Sequence, residues 1–485
     1  MLPITALVLI SSLSALHLVS AGSSNVLSIC SQIAGNISSA SNVYYPLDPN
    51  YGSDIYHYAT SSMQTSACSV EPGNPQDVGV ILHILGASGT PFAVKGGGHI
   101  MNPGYSSTTG VQIAMTRFNN VDYDASTETV AIGAGMVWDD VYAALEVFGA
   151  NVVGGRVSGI GVAGFTLGGG GITVFHYGLT IDNVQAYQLV LPNGTVVNVT
   201  ENSNPDLFFG LKGGYNNFGI VTSFTLKTFS QGQVWGGQIT IASQYVDQVN
   251  TATANFAMNV TDPKAALITT IDFTDGQIVA SVMMFYDAPT PPSGIFDDFL
   301  AISYIQKNVS TRSYLSLVQV EATEMSANKR GFYNTVPLMD ITPSVMQAVL
   351  NQAEYWGAEM LLTGEAIISY DVEPFLPTIL AHGASSAYPP DRSQRYLPLN
   401  IYFSWTGSSN DEAFYNAILE TAANLTNSAM IEGQAEIATA PRYPNYAIYG
   451  TDMVDIYGDS IDALVTLKET YDPQNVMGLA GGWKV

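Results

Sequence analysis

Two glycine-dense segments constrain the fold of this chain more than any other feature of its sequence. The first, Lys95-Gly96-Gly97-Gly98-His99, follows a short predicted strand, and the second extends from Gly154 to Gly171. Consecutive glycines let backbone N–H groups approach an anion closely without a helix dipole. A single loop of this kind is typical of tight turns and close packing. Two of them in one region favour a domain that holds the pyrophosphate of a dinucleotide.

The second segment contains a motif that points to a different fold. Gly159-Ile160-Gly161-Val162-Ala163-Gly164 satisfies the G-x-G-x-x-G pattern of a Rossmann loop, and Asp182 lies near the acidic position of that fingerprint. A Rossmann loop needs a strand before it and a helix after it. Here the chain leads into Gly168-Gly169-Gly170-Gly171, and we expect no regular helix in this segment. The motif therefore does not predict a nicotinamide-binding domain.

The composition excludes several classes of protein. Of the 485 residues, 47% are hydrophobic and 11% are charged, so the chain has ample material for a core and is not disordered. No run of about 18 apolar residues follows the N-terminus, which argues against a polytopic membrane protein and a membrane partner. The net charge of −25, without a cluster of Lys or Arg, argues against nucleic acid as a partner.

The N-terminus predicts a secreted, extracellular protein. An apolar run from Ile4 to Leu18 ends at Val19-Ser20-Ala21, so residues 1–21 are predicted to be a signal peptide. The alternative, a membrane anchor, is disfavoured because the run is short and no basic cluster follows it. Six Asn-X-Ser/Thr sequons support a glycosylated surface. These are Asn36, Asn193, Asn198, Asn259, Asn308 and Asn424.

The chain has two cysteines, Cys30 and Cys68. In a secreted protein a disulfide between them is favoured over two free thiols. The loop it closes would stabilise the fold by roughly 3–4 kcal/mol in the chain-entropy model. A metal site at the cysteine pair is the alternative, but no His or Cys stands at ligand spacing nearby, so we expect no metal.

The order of predicted elements indicates an α+β protein. Asn74 and Pro75 begin a helix that Gly86 is expected to end, and a strand is expected from Ile220 to Lys227. Beyond residue 230 the pattern changes to hairpins and long helices, typical of a second domain with an antiparallel sheet. The predicted domains are 22–230, 231–440 and a C-terminal element, 441–485.

The glycine loops carry a resemblance to a known family. Lys95–His99 resembles the R/K-x-GGH loop of flavoproteins with the p-cresol methylhydroxylase/vanillyl alcohol oxidase type of FAD-binding domain. Further segments agree with that family in order. These are Gly154–Gly171, Tyr177-Gly178-Leu179 with Asp182-Asn183, Leu191-Pro192-Asn193-Gly194 and Asn217-Phe218-Gly219-Ile220-Val221. The tail, with Tyr443-Pro444-Asn445-Tyr446 and Tyr471–Val476, is similar to the berberine bridge enzyme-like group, especially its secreted fungal members.

The resemblance implies a cofactor and its site. It implies FAD bound covalently, with His99 attached to the 8α carbon of the flavin and two α/β subdomains around it. The residues implied to contact FAD are Lys95, Gly96, Gly97, Gly98, Gly159, Gly161, Val162, Gly164, Gly168, Gly169, Asn217, Gly219, Ile220, Val221 and Asn445. Val162 falls where relatives control access of oxygen to the flavin. Many relatives attach the flavin a second time through a Cys, but that position is Val157 here, which implies a single attachment.

The catalytic base is the open part of the resemblance. Aligned on Trp405, the strand position where relatives carry Glu or Gln becomes Asn400, which cannot accept a proton in this role. Tyr446 is the preferred base, although a Tyr with a pKa of about 10 needs help to ionise at neutral pH. Arg392 and Arg395 are candidates to provide that help. The alternative is that Tyr446 only packs against the flavin.

The resulting hypothesis is a secreted FAD-dependent oxidase. It would transfer hydride from an alcohol carbon to the flavin, with O₂ as electron acceptor and H₂O₂ as product. The substrate would be a carbohydrate or another hydroxylated small molecule, on which Tyr402 and Trp405 could stack. Two alternatives stay open: a secondary-metabolite oxidase that forms a ring or a C–C bond, and a flavin-bearing binding protein without turnover.

Overall fold

The computed structural model describes residues 25–171, 177–320, 328–363, 365–383 and 385–485. The predicted signal peptide lies outside these residues. The helices are α1 (25–36), α2 (Pro49–Ile55), α3 (Pro75–Ser88), α4 (Trp138–Glu146), α5 (Val162–Leu167), α6 (Pro205–Leu211), α7 (Val246–Asn259), α8 (Asp297–Leu300), α9 (Tyr314–Val318), α10 (Pro343–Met360), α11 (Asp411–Ile431), α12 (Met453–Tyr457) and α13 (Ile461–Tyr471).

The strands build three main sheets. They are β1 (Asn42–Tyr44), β2 (Cys68–Glu71), β3 (Phe92–Lys95), β4 (Val111–Ala114), β5 (Val121–Asp124), β6 (Thr129–Gly133), β7 (Ala150–Asn151), β8 (Val184–Val190), β9 (Val196–Val199), β10 (Ile220–Lys227), β11 (Phe229–Ser230), β12 (Val234–Ala242), β13 (Ala265–Thr274), β14 (Gln277–Tyr286), β15 (Gln306–Arg312), β16 (Arg330–Leu338), β17 (Ala366–Val372) and β18 (Leu397–Trp405).

The sheet topology confirms the predicted α+β class. A four-stranded sheet has the order β1-β2-β4-β3 and a five-stranded antiparallel sheet the order β5-β6-β10-β8-β9. The third sheet is antiparallel, seven-stranded and ordered β15-β12-β14-β13-β17-β18-β16. We refer to it as the large sheet.

Buried apolar side chains form two cores. The first core joins residues 29–234 to tail residues such as Tyr457, Leu464 and Trp483, while the second packs the large sheet against α7, α10 and α11. The domain boundaries near residues 230 and 440 stay a prediction. This division of the buried side chains supports them.

Local capping explains the best-predicted helix and the error at its end. Asn74 caps α3, since its side-chain oxygen accepts a hydrogen bond from the Asp77 N–H at 2.8 Å. The helix does not end at Gly86 but continues to Ser88, and Gly89 ends it with a φ of 63°. Gly86 serves packing instead, because a Cβ there would lie 2.9 Å from a methyl group of Val476.

The expectation of no helix between Gly154 and Gly171 was wrong, because α5 spans Val162–Leu167. Its interior holds one glycine, Gly164, and buried Val162 and Leu167 pack into the first core. The dense glycines lie at its two ends, where Gly161 and Gly168 are the caps. Helix ends tolerate glycine far better than helix interiors.

Other sequence predictions concern the surface and the cysteines. Cys30 and Cys68 form the predicted disulfide. Five of the six sequon asparagines are exposed, whereas Asn424 is half-buried on α11. No helix in the described part of the chain is both long and apolar enough to cross a membrane.

Candidate active site

A cavity of about 720 Å³ lies between the two cores. Its first wall consists of both glycine segments, from Gly96 to His99 and from Gly155 to Gly171 in part. Its second wall is one face of the large sheet, together with Tyr443, Asn445 and Tyr446 from the C-terminal element. The structure thus brings both sequence motifs and the tail to one site.

The two glycine segments touch each other, which explains why side chains are excluded there. A Cβ on Gly97 would lie 2.5 Å from Cα of Gly161, and a Cβ on Gly161 would lie 2.6 Å from the Gly97 nitrogen. Backbone atoms cannot move aside as a flexible side chain could. Glycine at both positions is therefore required for the loops to meet under the cavity.

His99 follows the first glycine segment and lines the cavity. Its ring stacks on that of Tyr58, with centroids 4.4 Å apart and planes 13° from parallel. Its Nε2 atom is buried and has no hydrogen-bond partner within the described residues. Burial lowers the pKa of His99 to about 4, so its imidazole is neutral at physiological pH.

Of the other predicted cofactor residues, Gly96, Gly97, Gly98, Gly161, Gly164, Ile220, Val221 and Asn445 line the cavity. Lys95, Gly159, Val162, Gly168, Gly169, Asn217 and Gly219 are not among the lining residues. Lys95 turns away, because its Nζ donates to the carbonyl of Ser53 at 3.0 Å. Val162 is fully buried in the first core, and its neighbour Ala163 faces the cavity in its place.

Asn445 joins the tail to the second glycine segment. Its Nδ2 donates to the Phe165 carbonyl at 3.0 Å and to the Tyr443 hydroxyl at 2.8 Å, while its Oδ1 accepts from Tyr215. A Cβ on Gly168 would lie 2.1 Å from that Oδ1 atom. Gly168 therefore supports the site from behind, by leaving room for Asn445.

Tyr446 contacts a carboxylate that the sequence analysis missed. Its hydroxyl donates to Oε1 of Glu373 at 3.0 Å, and Glu373 forms an ion pair with Arg156 through its other oxygen. The Glu373 side chain is 2% exposed. Burial and the neighbouring Glu373 raise the pKa of Tyr446 well above 10, with Arg156 acting in the opposite direction. Tyr446 is thus a neutral phenol that points its proton at a buried carboxylate.

Asn400 takes part in a row of polar side chains across the large sheet, one from each strand. The row is Gln306, Thr240, Ser281, Thr270, Asp371, Asn400 and Thr335. All but Thr335 line the cavity. Asp371 accepts from Thr270 at 2.7 Å and from Nδ2 of Asn400 at 3.1 Å. The Oδ1 atom of Asn400 is buried and has no partner among the residues described.

Two arginines and one tryptophan lie elsewhere than the sequence suggested. Arg392 pairs with Asp182 at 2.7 Å and Arg395 pairs with Asp340, so the guanidinium near Tyr446 is Arg156. Trp405 is fully buried on the helix side of the large sheet, against Phe414. It cannot stack on a substrate, whereas Tyr402 does line the cavity.

A weak sequence signal for the missed carboxylates did exist. Ser369, Asp371 and Glu373 alternate with buried Tyr370 and Val372, the period of a strand with one polar face. Within the described ranges no cluster of His, Cys, Asp and Glu could hold a metal ion.

Comparison with known proteins finds a matching family and similar proteins. The family described as FAD binding domain matches residues 66–200. The FAD-dependent monooxygenase drtC of Aspergillus calidoustus is 32% identical over 450 residues, covering 88% of this chain and 84% of that protein.

Solved structures share the fold at lower identity. A carbohydrate oxidase from Microdochium nivale superposes with a TM-score of 0.75 at 17% identity, covering 94% of this chain and 99% of that one. The glucooligosaccharide oxidase of Acremonium strictum, described with a 6-S-cysteinyl, 8α-N1-histidyl FAD, has a TM-score of 0.73 at 18% identity. The match covers 92% of this chain and 97% of the oxidase chain.

Proposed function

Since this chain belongs to the FAD-linked oxidoreductases of the berberine bridge enzyme-like group, with their p-cresol methylhydroxylase type of FAD-binding domain, we propose that it is an alcohol oxidase. In this proposal it takes hydride from the carbon of a CH–OH group and passes the electrons to O₂, which leaves as H₂O₂. The observation that carries the proposal is the Tyr446 hydroxyl bonded to buried Glu373 at 3.0 Å.

The cavity fits FAD. The contact between Gly97 and Gly161 places backbone without side chains along the cavity wall, which leaves room for a dinucleotide. Attachment of the flavin at His99 would also give a partner to its buried Nε2 atom, which has none among the described residues. Gly96 to Gly98, Gly161 and Gly164 would hold the pyrophosphate, and Ile220, Val221 and Asn445 would flank the flavin. When bound, FAD supplies the hydride acceptor. His99 would hold it covalently, and Val157, which lines the cavity, offers no thiol for a second bond.

Tyr446 and Glu373 together form the proton acceptor in this proposal. The Tyr446 oxygen takes the proton of the substrate hydroxyl while its own proton passes to Oε1 of Glu373. No free tyrosinate is needed before the reaction, so the raised pKa of Tyr446 is no obstacle. Arg156 holds Glu373 in place through its second oxygen.

The polar row supports a hydroxylated substrate. Its side chains carry hydroxyl, amide or carboxyl groups, and buried polar groups need partners. A substrate with several hydroxyl groups supplies both donors and acceptors along it, and the unpartnered Oδ1 of Asn400 would accept from one of them. Structural neighbours named as carbohydrate oxidases point in the same direction.

A second candidate is an oxidase of secondary metabolites, which would form a ring or C–C bond. Curated relatives are named FAD-dependent monooxygenases, a name that favours flavin chemistry other than the oxidation of an alcohol. The third hypothesis, a binding protein without turnover, loses its main support, because Glu373 supplies the carboxylate that Asn400 lacks.

Secretion completes the proposal. The predicted signal peptide, the disulfide and the exposed sequons are all consistent with an extracellular glycoprotein that meets O₂ directly. The N-terminal residue and the glycans of protein secreted by its native host test this part.

A screen for H₂O₂ release tests the reaction. We expect release with mono- and oligosaccharides or polyols, and none with their fully O-methylated derivatives, which lack the CH–OH proton. Glu373→Gln should abolish most of the release while the protein stays yellow. Turnover of aromatic or alkaloid-like compounds alone would support the second candidate, and no turnover with any of them would support the third.

A further inference from the structure

Tyr58 is tied to the His99 loop in two ways. Its ring stacks on the imidazole at 4.4 Å, and its backbone N–H donates to the carbonyl of Gly98 at 3.0 Å. The residue is half-buried and lines the cavity. It lies in an irregular segment between α2 and β2 that carries none of the motifs identified in the sequence.

The same segment is bonded to the large sheet. The Asn328 N–H donates to the Tyr58 carbonyl at 3.0 Å, and the Thr60 N–H donates to the Lys329 carbonyl at 2.9 Å. Ser61 then exchanges two hydrogen bonds with the backbone of Gly331, at 2.8 and 3.1 Å. Residues 58–61 therefore fasten the His99 loop to β16 on the opposite side of the cavity.

Within the loop, the imidazole of His99 has a hydrogen bond to the residue's own backbone. Three glycines precede the histidine, so these residues offer no side chain to pack against the imidazole. Nε2 of the imidazole has no hydrogen-bond partner in the described part of the chain. The parallel ring of Tyr58 is the aromatic side chain that stacks on the face of the imidazole.

We propose that Tyr58 is a positioning residue for covalent attachment of the flavin, because its ring holds the imidazole of His99 in the orientation that attachment requires. This inference rests on the proposed attachment of FAD at His99. Misplacing a reacting group by about 1 Å can cost two orders of magnitude in rate. Loss of the ring should therefore slow attachment, even where FAD still binds.

The chemistry of attachment balances with dioxygen as oxidant. One N–C bond forms, and the imidazole N–H bond and one C–H bond of the flavin methyl group break. Two protons leave, and two electrons remain on the flavin until O₂ takes them up with two protons as H₂O₂. His99 can act as the nucleophile because its low pKa keeps the ring neutral.

The test measures covalent flavin rather than turnover. Full-length wild type, Tyr58→Ala, Tyr58→Phe and Tyr56→Ala are purified, supplied with FAD and precipitated with acid at timed intervals. Flavin that stays on the polypeptide is then quantified. Tyr56→Ala is the matched control, since Tyr56 lies in the same segment but is exposed and does not line the cavity. Flavin that binds without a covalent bond, together with thermal unfolding, reports whether each variant is folded.

We expect Tyr58→Ala to attach flavin at least about tenfold more slowly than wild type while still binding it. Tyr58→Phe, which keeps the ring, and Tyr56→Ala should match wild type. Wild-type rates in Tyr58→Ala, or equal loss in Tyr58→Phe, would overturn the role of the ring. Wild type that releases all its flavin in acid would instead overturn the attachment at His99 on which the inference rests.

Discussion

The residues of the two cavity walls are arranged differently along the sequence. The first wall, which we call the glycine wall, consists of Gly96–His99 and the cavity-lining residues between 155 and 171. It depends on backbone geometry at consecutive positions, so its residues are neighbours in sequence and form a recognisable motif. The second wall, which we call the sheet wall, gathers polar side chains from six strands of the large sheet, between residues 240 and 400. Local motifs therefore identify the region that matches the FAD binding domain, whereas the polar side chains of the opposite wall come together only through strand pairing.

The largest expected effect of a substitution is at His99, at the end of the first glycine segment. His99→Ala should release all flavin on acid denaturation, because no other described group replaces the bond. Mass spectrometry of a tryptic digest of wild type should find a flavin adduct on the His99 peptide. His83→Ala, at an exposed position of α3, is the control and should retain the adduct. An adduct on any other peptide would contradict the assignment.

The sheet wall should control the chemical step. Glu373→Gln and Tyr446→Phe should each slow reduction of the flavin by substrate by roughly 10²-fold or more. Each substitution interrupts the same proposed proton transfer, from the substrate hydroxyl through Tyr446 to Glu373. The double variant should be little slower than either single variant. Stopped-flow absorbance measures this, with Asn400→Ala expected to change KM more than the reduction rate. Fast reduction in Glu373→Gln would return the role to Tyr446 alone.

Backbone contact, rather than side-chain chemistry, should govern the glycine wall. Gly97→Ala should lower the free energy of unfolding by about 1–3 kcal/mol, typical of overpacking, and weaken FAD binding. Gly232→Ala is the matched control, because nothing lies within 4 Å of a Cβ there. Denaturant titration and flavin content measure both effects. Equal stability of the two variants would show that the loops separate at little cost.

The smallest expected effect concerns a charge on the sheet wall. Burial raises the pKa of Asp272 from its ordinary 3.8 to about 6, partly offset by a hydrogen bond from Ser369. The folded state thus favours protonated Asp272, and this contribution to stability is lost as the pH rises from about 4 through 6. Asp272→Asn should therefore raise the melting temperature slightly at pH 7 and not at pH 4. Thermal melts at the two pH values test this, with exposed Asp275→Asn as control.

Several features were predictable because they depend on short stretches of chain. The Asn74 cap, the turn at Asp275-Gly276 between β13 and β14 and strand β10 follow from local residue preferences, and the structure contains all three. The errors arose where a local rule met a tertiary contact. Gly86 lies inside α3, where its missing Cβ leaves room for Val476. Helix α5 forms because its apolar residues reach the first core.

Local residue patterns were enough to predict the fold class, the disulfide and the FAD-binding domain, since each depends on local geometry or on the only cysteine pair. The side chains that line the sheet side of the cavity are known only from the tertiary structure. Arg156, Glu373 and Tyr446 are separated by 217 and 73 residues, yet they form one hydrogen-bonded group. Strand register and the return of the tail bring them together, because burying the apolar faces of two cores leaves their polar faces to line one shared cavity.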